Sequence, residues 1–124
     1  MSKPVLSDLF TFSGRRNRQS YILLMLAQLT AFFIIGCVAF VGVVIVDDGF
    51  DIMGWSIILS CVPALVATAV SSWAAGSQRV RDTGHSGAWI LLTLLPYVGW
   101  VVALGICFLP GTKGANEYGP SCTE

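Results

Sequence analysis

The charged residues of this chain are segregated, and that segregation limits what it can fold into. No Asp, Glu, Lys or Arg occurs between Tyr21 and Val46, between Ile52 and Gly76, or between Ser86 and Thr112. Uncharged runs of this length exceed the roughly 20 residues a helix needs to cross a hydrocarbon core about 30 Å thick. A soluble domain of 124 residues needs more polar surface than a chain that is 55% hydrophobic and 11% charged can supply. The expectation is an all-α membrane protein, with three transmembrane helices in a small bundle at 22–46, 52–75 and 88–109. The spans should be helices, because within lipid every backbone polar group must be paired inside the segment. Residues 1–124 then form a single polytopic domain.

Orientation follows from the bases. Lys3, Arg15, Arg16 and Arg18 precede the first run, and Arg79 and Arg81 follow the second, whereas the 47–51 loop "DDGFD" holds three acids and no base. Positive residues stay in the cytoplasm, so the N-terminus and the 76–87 loop are expected inside. Three full crossings then place the 110–124 tail, with Lys113, outside. "IIGC" at 34–37 fits a loose lipoprotein cleavage box, but the apolar run continues through "VAFVGVVIV". That run is too long for a cleaved signal, so it is read as a retained span. Val5, Leu6, Leu9 and Phe10 recur at roughly helical spacing, which predicts a short N-terminal interfacial helix.

Other residues carry plainer expectations. Cys37, Cys61, Cys107 and Cys122 have no CxxC spacing and no neighbouring histidine, so no metal site is expected. Cys122, outside under this topology, would meet an oxidising compartment without an obvious partner. Ala67, Ser71 and Ala75, with Thr68, Ser72 and Gly76 alongside, form small-residue stripes that let helices approach closely, as do Gly99, Ala103 and Cys107. Pro63 and Pro96 fall inside spans and predict kinks. Tyr21, Trp55, Trp73 and Trp89 lie near span ends, as an interfacial belt would. No span contains an ionisable carboxylate or base, which argues against ion-coupled transport.

The most chemically loaded stretch is "QRVRDTGHSGAW", residues 78–89. Arg79 and Asp82 are three apart and Gln78 and Asp82 four apart, spacings at which helical side chains meet. Gly84 suits a left-handed C-terminal cap and Ser86 an N-terminal one. These assignments give a helix–cap–turn–cap connection. A functional reading adds Arg15, Arg16 and Arg18 from "SGRRNRQSY", making five guanidiniums on one membrane face with Arg79 and Arg81. Such a face suits an anionic lipid headgroup, another phosphate or an acidic partner. His85 and Asp82 offer at most an acid–base pair, and no catalytic motif accompanies them.

"LFTFSGRRNRQSY", "QRVRDTGHSGAW" and "PGTKGANEYG" occur in this order around the apolar runs. Together they resemble the YhaH-like bacterial inner-membrane family, domain of unknown function 805, over nearly the whole chain. Ala88 departs from the family pattern, where many relatives carry a second tryptophan. The resemblance implies a polytopic helical protein of the inner membrane and supplies no activity. By position it marks Gly14, Arg15 and Arg18, then Arg79, Asp82, Gly84, Ser86 and Gly87, then Gly111, Asn116, Tyr118 and Gly119.

The functional expectation is a non-enzymatic binding component of the inner membrane, without catalytic residue, metal or cofactor. Its candidate anion- or partner-binding residues are Gly14, Arg15, Arg18, Arg79, Arg81, Asp82, Ser86 and Gly87. Gly84, Pro110, Gly111, Asn116, Tyr118 and Gly119 form a candidate structural motif. The expected partners are the lipid bilayer, including anionic lipid, and another membrane protein or a second copy, with no nucleic acid. Two alternatives stay open: an oligomeric pore or transporter subunit, and a membrane-embedded enzyme acting on lipid headgroups through Asp82 and His85.

Overall fold

The computed structural model describes residues 6–120, apart from the side chain of Trp100. Its elements are α1, Arg18–Asp47; α2, Asp51–Asp82; a 3-10 helix, Gly87–Leu94; and α3, Val98–Phe108. Asn17 caps α1, its Oδ1 accepting from the Ser20 amide at 2.9 Å. Both long helices end the same way. At α1 the Phe50 amide reaches the Ile45 carbonyl and the Gly49 amide reaches Val46; at α2 His85 reaches Val80 and Gly84 reaches Arg81. This paired bonding, with Gly49 and Gly84 at positive φ, satisfies carbonyls that would otherwise be left open at a helix end. The cap expected at Gly84 is present.

The first two expected spans, 22–46 and 52–75, lie within α1 and α2, each long and apolar enough by length and composition to cross a membrane. Pro63 sits inside α2 without ending it. Residues 26–70 form one compact unit, a helical hairpin. Near its turn a Cβ on Gly54 would stand 2.6 Å from the Gly42 carbonyl oxygen and 2.8 Å from the Val46 amide nitrogen. Backbone therefore meets backbone there, and only glycine permits it. Phe33, Phe40, Leu59 and Val66 point outward, as side chains solvated by lipid would.

The second unit combines residues 6–25 with residues 71–120. Its apolar core joins Tyr21 and Leu24 of α1, Ala75 and Val80 of α2, Ile90 of the 3-10 helix, and Ile106 and Cys107 of α3. Here the structure departs from the expected third span. Residues 88–109 are not one helix: an eight-residue 3-10 helix ends at Leu94 and the eleven-residue α3 begins at Val98. Pro96 is the cause, because its ring pushes the preceding residue out of the helical region, and Leu95 is extended at φ −77°, ψ 126°.

The tail, expected across the membrane from the arginine motifs, is bonded to the end of α2: the Thr112 amide donates to the Asp82 carbonyl at 2.7 Å. The short N-terminal interfacial helix is also absent among the described residues, where 6–17 are turns and irregular chain. Lys3, Val5 and Cys122 lie outside the described residues.

The hairpin packing gives a contrast to test. Gly54→Val forces backbone apart and is expected to cost roughly 1–3 kcal/mol, the usual range for overpacking. Gly105→Val, where an added Cβ meets nothing within 4 Å, is expected to leave stability nearly unchanged. Thermal unfolding in one detergent compares the two variants directly.

Candidate functional site

The site begins with one carboxylate. Asp82, in the last turn of α2, is fully buried, as is Arg79, and Arg15 is 2% exposed. Asp82 Oδ1 accepts from Arg15 Nε at 3.0 Å and pairs with Arg15 Nη2 at 2.8 Å, while Oδ2 pairs with Arg79 Nη1. Removing charges from water costs several kcal/mol per ion, so such a group persists only when pairing and hydrogen bonds are nearly complete. Here they are. Arg15 also donates to the carbonyls of Thr112 and Gly114, both at 2.8 Å, and of Gly119 at 3.2 Å. Arg79 donates to the carbonyls of Ile106 and Leu109, capping α3 where its dipole favours a cation.

Thr112 is the hub of the tail. Its hydroxyl donates to the Asp82 carbonyl at 2.9 Å and accepts from Arg15 and from Asn116 Nδ2, both at 3.0 Å. One donor and two acceptor positions are all a threonine hydroxyl has, and all are used. Gly111 sets the approach, since a Cβ there would overlap the Asp82 carboxylate. Asn116 closes a tight turn with Gly119 through two backbone bonds of 3.0 Å, and its side chain reaches the Arg81 carbonyl at 2.9 Å.

A parallel arrangement holds the N-terminal segment. Arg16, also fully buried, donates to Gln78 Oε1 at 3.2 Å, to Ser20 Oγ at 2.8 Å and to the Ser7 carbonyl. Gln78 in turn donates to the carbonyls of Asp8 and Thr11. Arg81 bonds the Phe12 carbonyl and lies 5.6 Å from the centre of the Tyr118 ring. A hydrogen bond with Glu117 pushes the Tyr118 pKa up from its ordinary value.

The candidate residues thus divide. Arg15, Arg79 and Asp82 form the buried centre, with Gly111, Asn116 and Gly119 building the tail around it. Gly14 makes a left-handed turn just before Arg15, and Gly87 packs against Ser77 and the Arg81 guanidinium. Arg18, Ser86 and Pro110 are exposed, and Ser86 Oγ accepts from the Ala88 amide at 3.4 Å as the expected cap. The five guanidiniums do not make one open face: Arg15, Arg16 and Arg79 are interior donors to protein oxygens. Gln78 meets Arg16 rather than Asp82 as spacing suggested. His85 lies apart from Asp82, exposed, with Nδ1 3.2 Å from Thr83 Oγ1 and its ring edge-on to Trp89. An apolar cleft of about 210 Å³ lies beside it, lined by Val80, Val102 and Ile106 among others. Sequence reasoning missed Arg16, Gln78 and Thr112 as joints. All three lie inside the quoted motifs, but each has a partner more than 60 residues away: Gln78 for Arg16, Asp8 and Thr11 for Gln78, and Arg15 for Thr112.

Residues 9–120 match the family model described as Protein of unknown function (DUF805). The chain belongs to this family. It is 34% identical to inner membrane protein YhaI of Escherichia coli K12 over 115 residues, covering 93% of this chain and 88% of the relative. It is 29% identical to inner membrane protein YhaH of the same strain over 118 residues, covering 94% and 90%. No solved structure gives a significant match. The family match spans the whole buried cluster from Arg15 to Gly119, and the inner-membrane relatives together with the two apolar helices support a membrane protein.

Removing the carboxylate should undo the cluster. Asp82→Ala strands Arg15 and Arg79 and is expected to cost roughly 3–5 kcal/mol. Arg18→Gln, at an exposed position, is expected to change stability by less than about 0.5 kcal/mol. Denaturant unfolding and proteolysis at Lys113 separate them: the tail should become cleavable in Asp82→Ala and stay protected in Arg18→Gln. Because buried pairs are poorly screened, the wild-type tail should stay protected in high salt as well.

Proposed function

We propose that this protein is a non-enzymatic component of the bacterial inner membrane that acts by binding other membrane proteins, its own copies included. The observation that carries the reading is a division of labour. The polar side chains of the motifs are consumed in holding one another, while the hairpin offers long apolar surface that only lipid or another helix satisfies. In this reading the Arg15–Asp82–Arg79 cluster is a latch that holds the helix ends in place.

The N-terminus is cytoplasmic and α1 and α2 cross the membrane. Support comes from the bases near the start of α1 and the end of α2 against the three acids of the intervening loop. The inner-membrane location printed for YhaI and YhaH supports the compartment. Exposed Arg18, at the start of α1, stands where anionic headgroups gather and adds a lipid contact. Gly36, exposed on α1 with open space around it, offers the close approach that helix pairing in lipid uses.

Native mass spectrometry of the full chain, released gently from its own membrane, tests this function. A bound membrane protein or second copy is expected in wild type and in Arg18→Gln, and its loss is expected in Gly36→Leu. A bare wild-type chain, or equal occupancy in Gly36→Leu, would count against binding through this hairpin.

A further inference from the structure

We infer that the chain enters the bilayer a third time without crossing it: the 3-10 helix and α3 form a re-entrant half-span. Its tip at residues 94–98 is seated in the hydrocarbon of the cytoplasmic leaflet, and it returns the tail to the face of the N-terminus. This inference rests on the two-crossing reading above and concerns a segment that reading leaves unassigned.

The two ends of the segment are tied to one place. It starts at Ser86, immediately after the Gly84 cap that ends α2. It ends at Leu109, whose carbonyl accepts from Arg79, three residues before Asp82 on the same helix. The tail that follows is bonded to Asp82 and Arg15. Entry and exit are thus held at the same latch.

The lengths agree with a half-span. Eight residues of 3-10 helix at about 2.0 Å each reach roughly 16 Å. Eleven residues of α3 at about 1.5 Å each reach about the same distance. Each arm covers about half of a hydrocarbon core roughly 30 Å thick, and neither crosses it.

The surface is that of a buried-in-lipid element. No charged residue lies between Ser86 and Thr112. Leu91, Leu94, Leu95, Val101 and Leu104 are exposed, and Tyr97 at the tip is 90% exposed. One side of the pair meets the protein core through Ile90, Ile106 and Cys107; the other is exposed among the described residues. Several backbone groups near the break are paired. Leu95 donates to Leu92, Gly99 to the Leu95 carbonyl at 2.7 Å, and Pro96 brings no amide to satisfy. Irregular backbone at membrane depth requires such pairing.

Charge by side points the same way. Three full spans leave Lys113 outside; a half-span places all seven Lys and Arg residues of the sequence on the cytoplasmic side.

The test uses the full chain in its native membrane and in vesicles. Fused after Glu124, green fluorescent protein should fluoresce and alkaline phosphatase should be inactive. A fluorescent amino acid incorporated at position 97 should be quenched best by lipids brominated near the end of the acyl chain. At position 113 it should escape those lipids. Active phosphatase would mean a complete third crossing and overturn the half-span. Quenching at position 97 only by headgroup-level quenchers would mean a hairpin lying flat on the surface, and would overturn it equally. The same probe at position 36 monitors α1: failure of deep quenching there would sink the two-crossing reading, and the half-span with it.

Discussion

Everything in the polar half of this molecule depends on one buried carboxylate held between two guanidiniums. Asp82 pairs with Arg15 from the segment before α1 and with Arg79 one turn back on its own helix. A single acid cannot neutralise Arg15, Arg16 and Arg79 together, and the remaining positive charge is met by backbone carbonyls of residues 7, 106, 109, 112, 114 and 119. Those carbonyls come from loops and from one helix end, which have acceptors to spare. The arginines thus gather the ends of the fold, and the fold in turn keeps the arginines out of water. Neither half of that arrangement is stable without the other.

The molecule is arranged oppositely to a soluble domain. Its largest fully buried side chains are Arg15, Arg16, Arg79, Gln78 and Asp82, while leucines, valines and phenylalanines cover the outside. Lipid makes this sensible: an apolar side chain loses nothing by facing hydrocarbon, and polar groups gain most by facing each other. The same logic narrows the function. Donors committed to protein oxygens are not free to hold a phosphate, and a carboxylate clamped by two arginines is not placed to move protons for His85, which lies elsewhere with Thr83 and Trp89.

The latch also accounts for how the third apolar segment behaves. Once Thr112 is bonded to Asp82, the residues between Ser86 and Leu109 start and end beside the last turn of α2. Pro96 supplies the break near the middle of that excursion, and Arg79 supplies a cation to the end of its second arm. A long uncharged run therefore has two solutions in a bilayer. Composition does not choose between them, because both bury the same side chains in the same hydrocarbon.

The sequence by itself determined much of this protein. Charge-free runs gave the membrane setting and placed the first two helices, because crossing hydrocarbon leaves little choice of composition or secondary structure. Glycine and serine chemistry placed the turn after α2, because a left-handed cap and an amide acceptor are local requirements met by neighbouring residues. Three ordered motifs placed the family. Only the tertiary structure decided that the tail is bonded to the end of α2, that Arg15 and Arg16 are interior groups, and that Gln78 and Thr112 are joints. Those facts depend on pairs 30 to 97 residues apart, such as Thr112 with Asp82, Arg15 with Asp82 and Arg15 with Thr112. An arginine written in a sequence has the same charge whether it faces a headgroup or a carboxylate; its environment, set by distant chain, decides which.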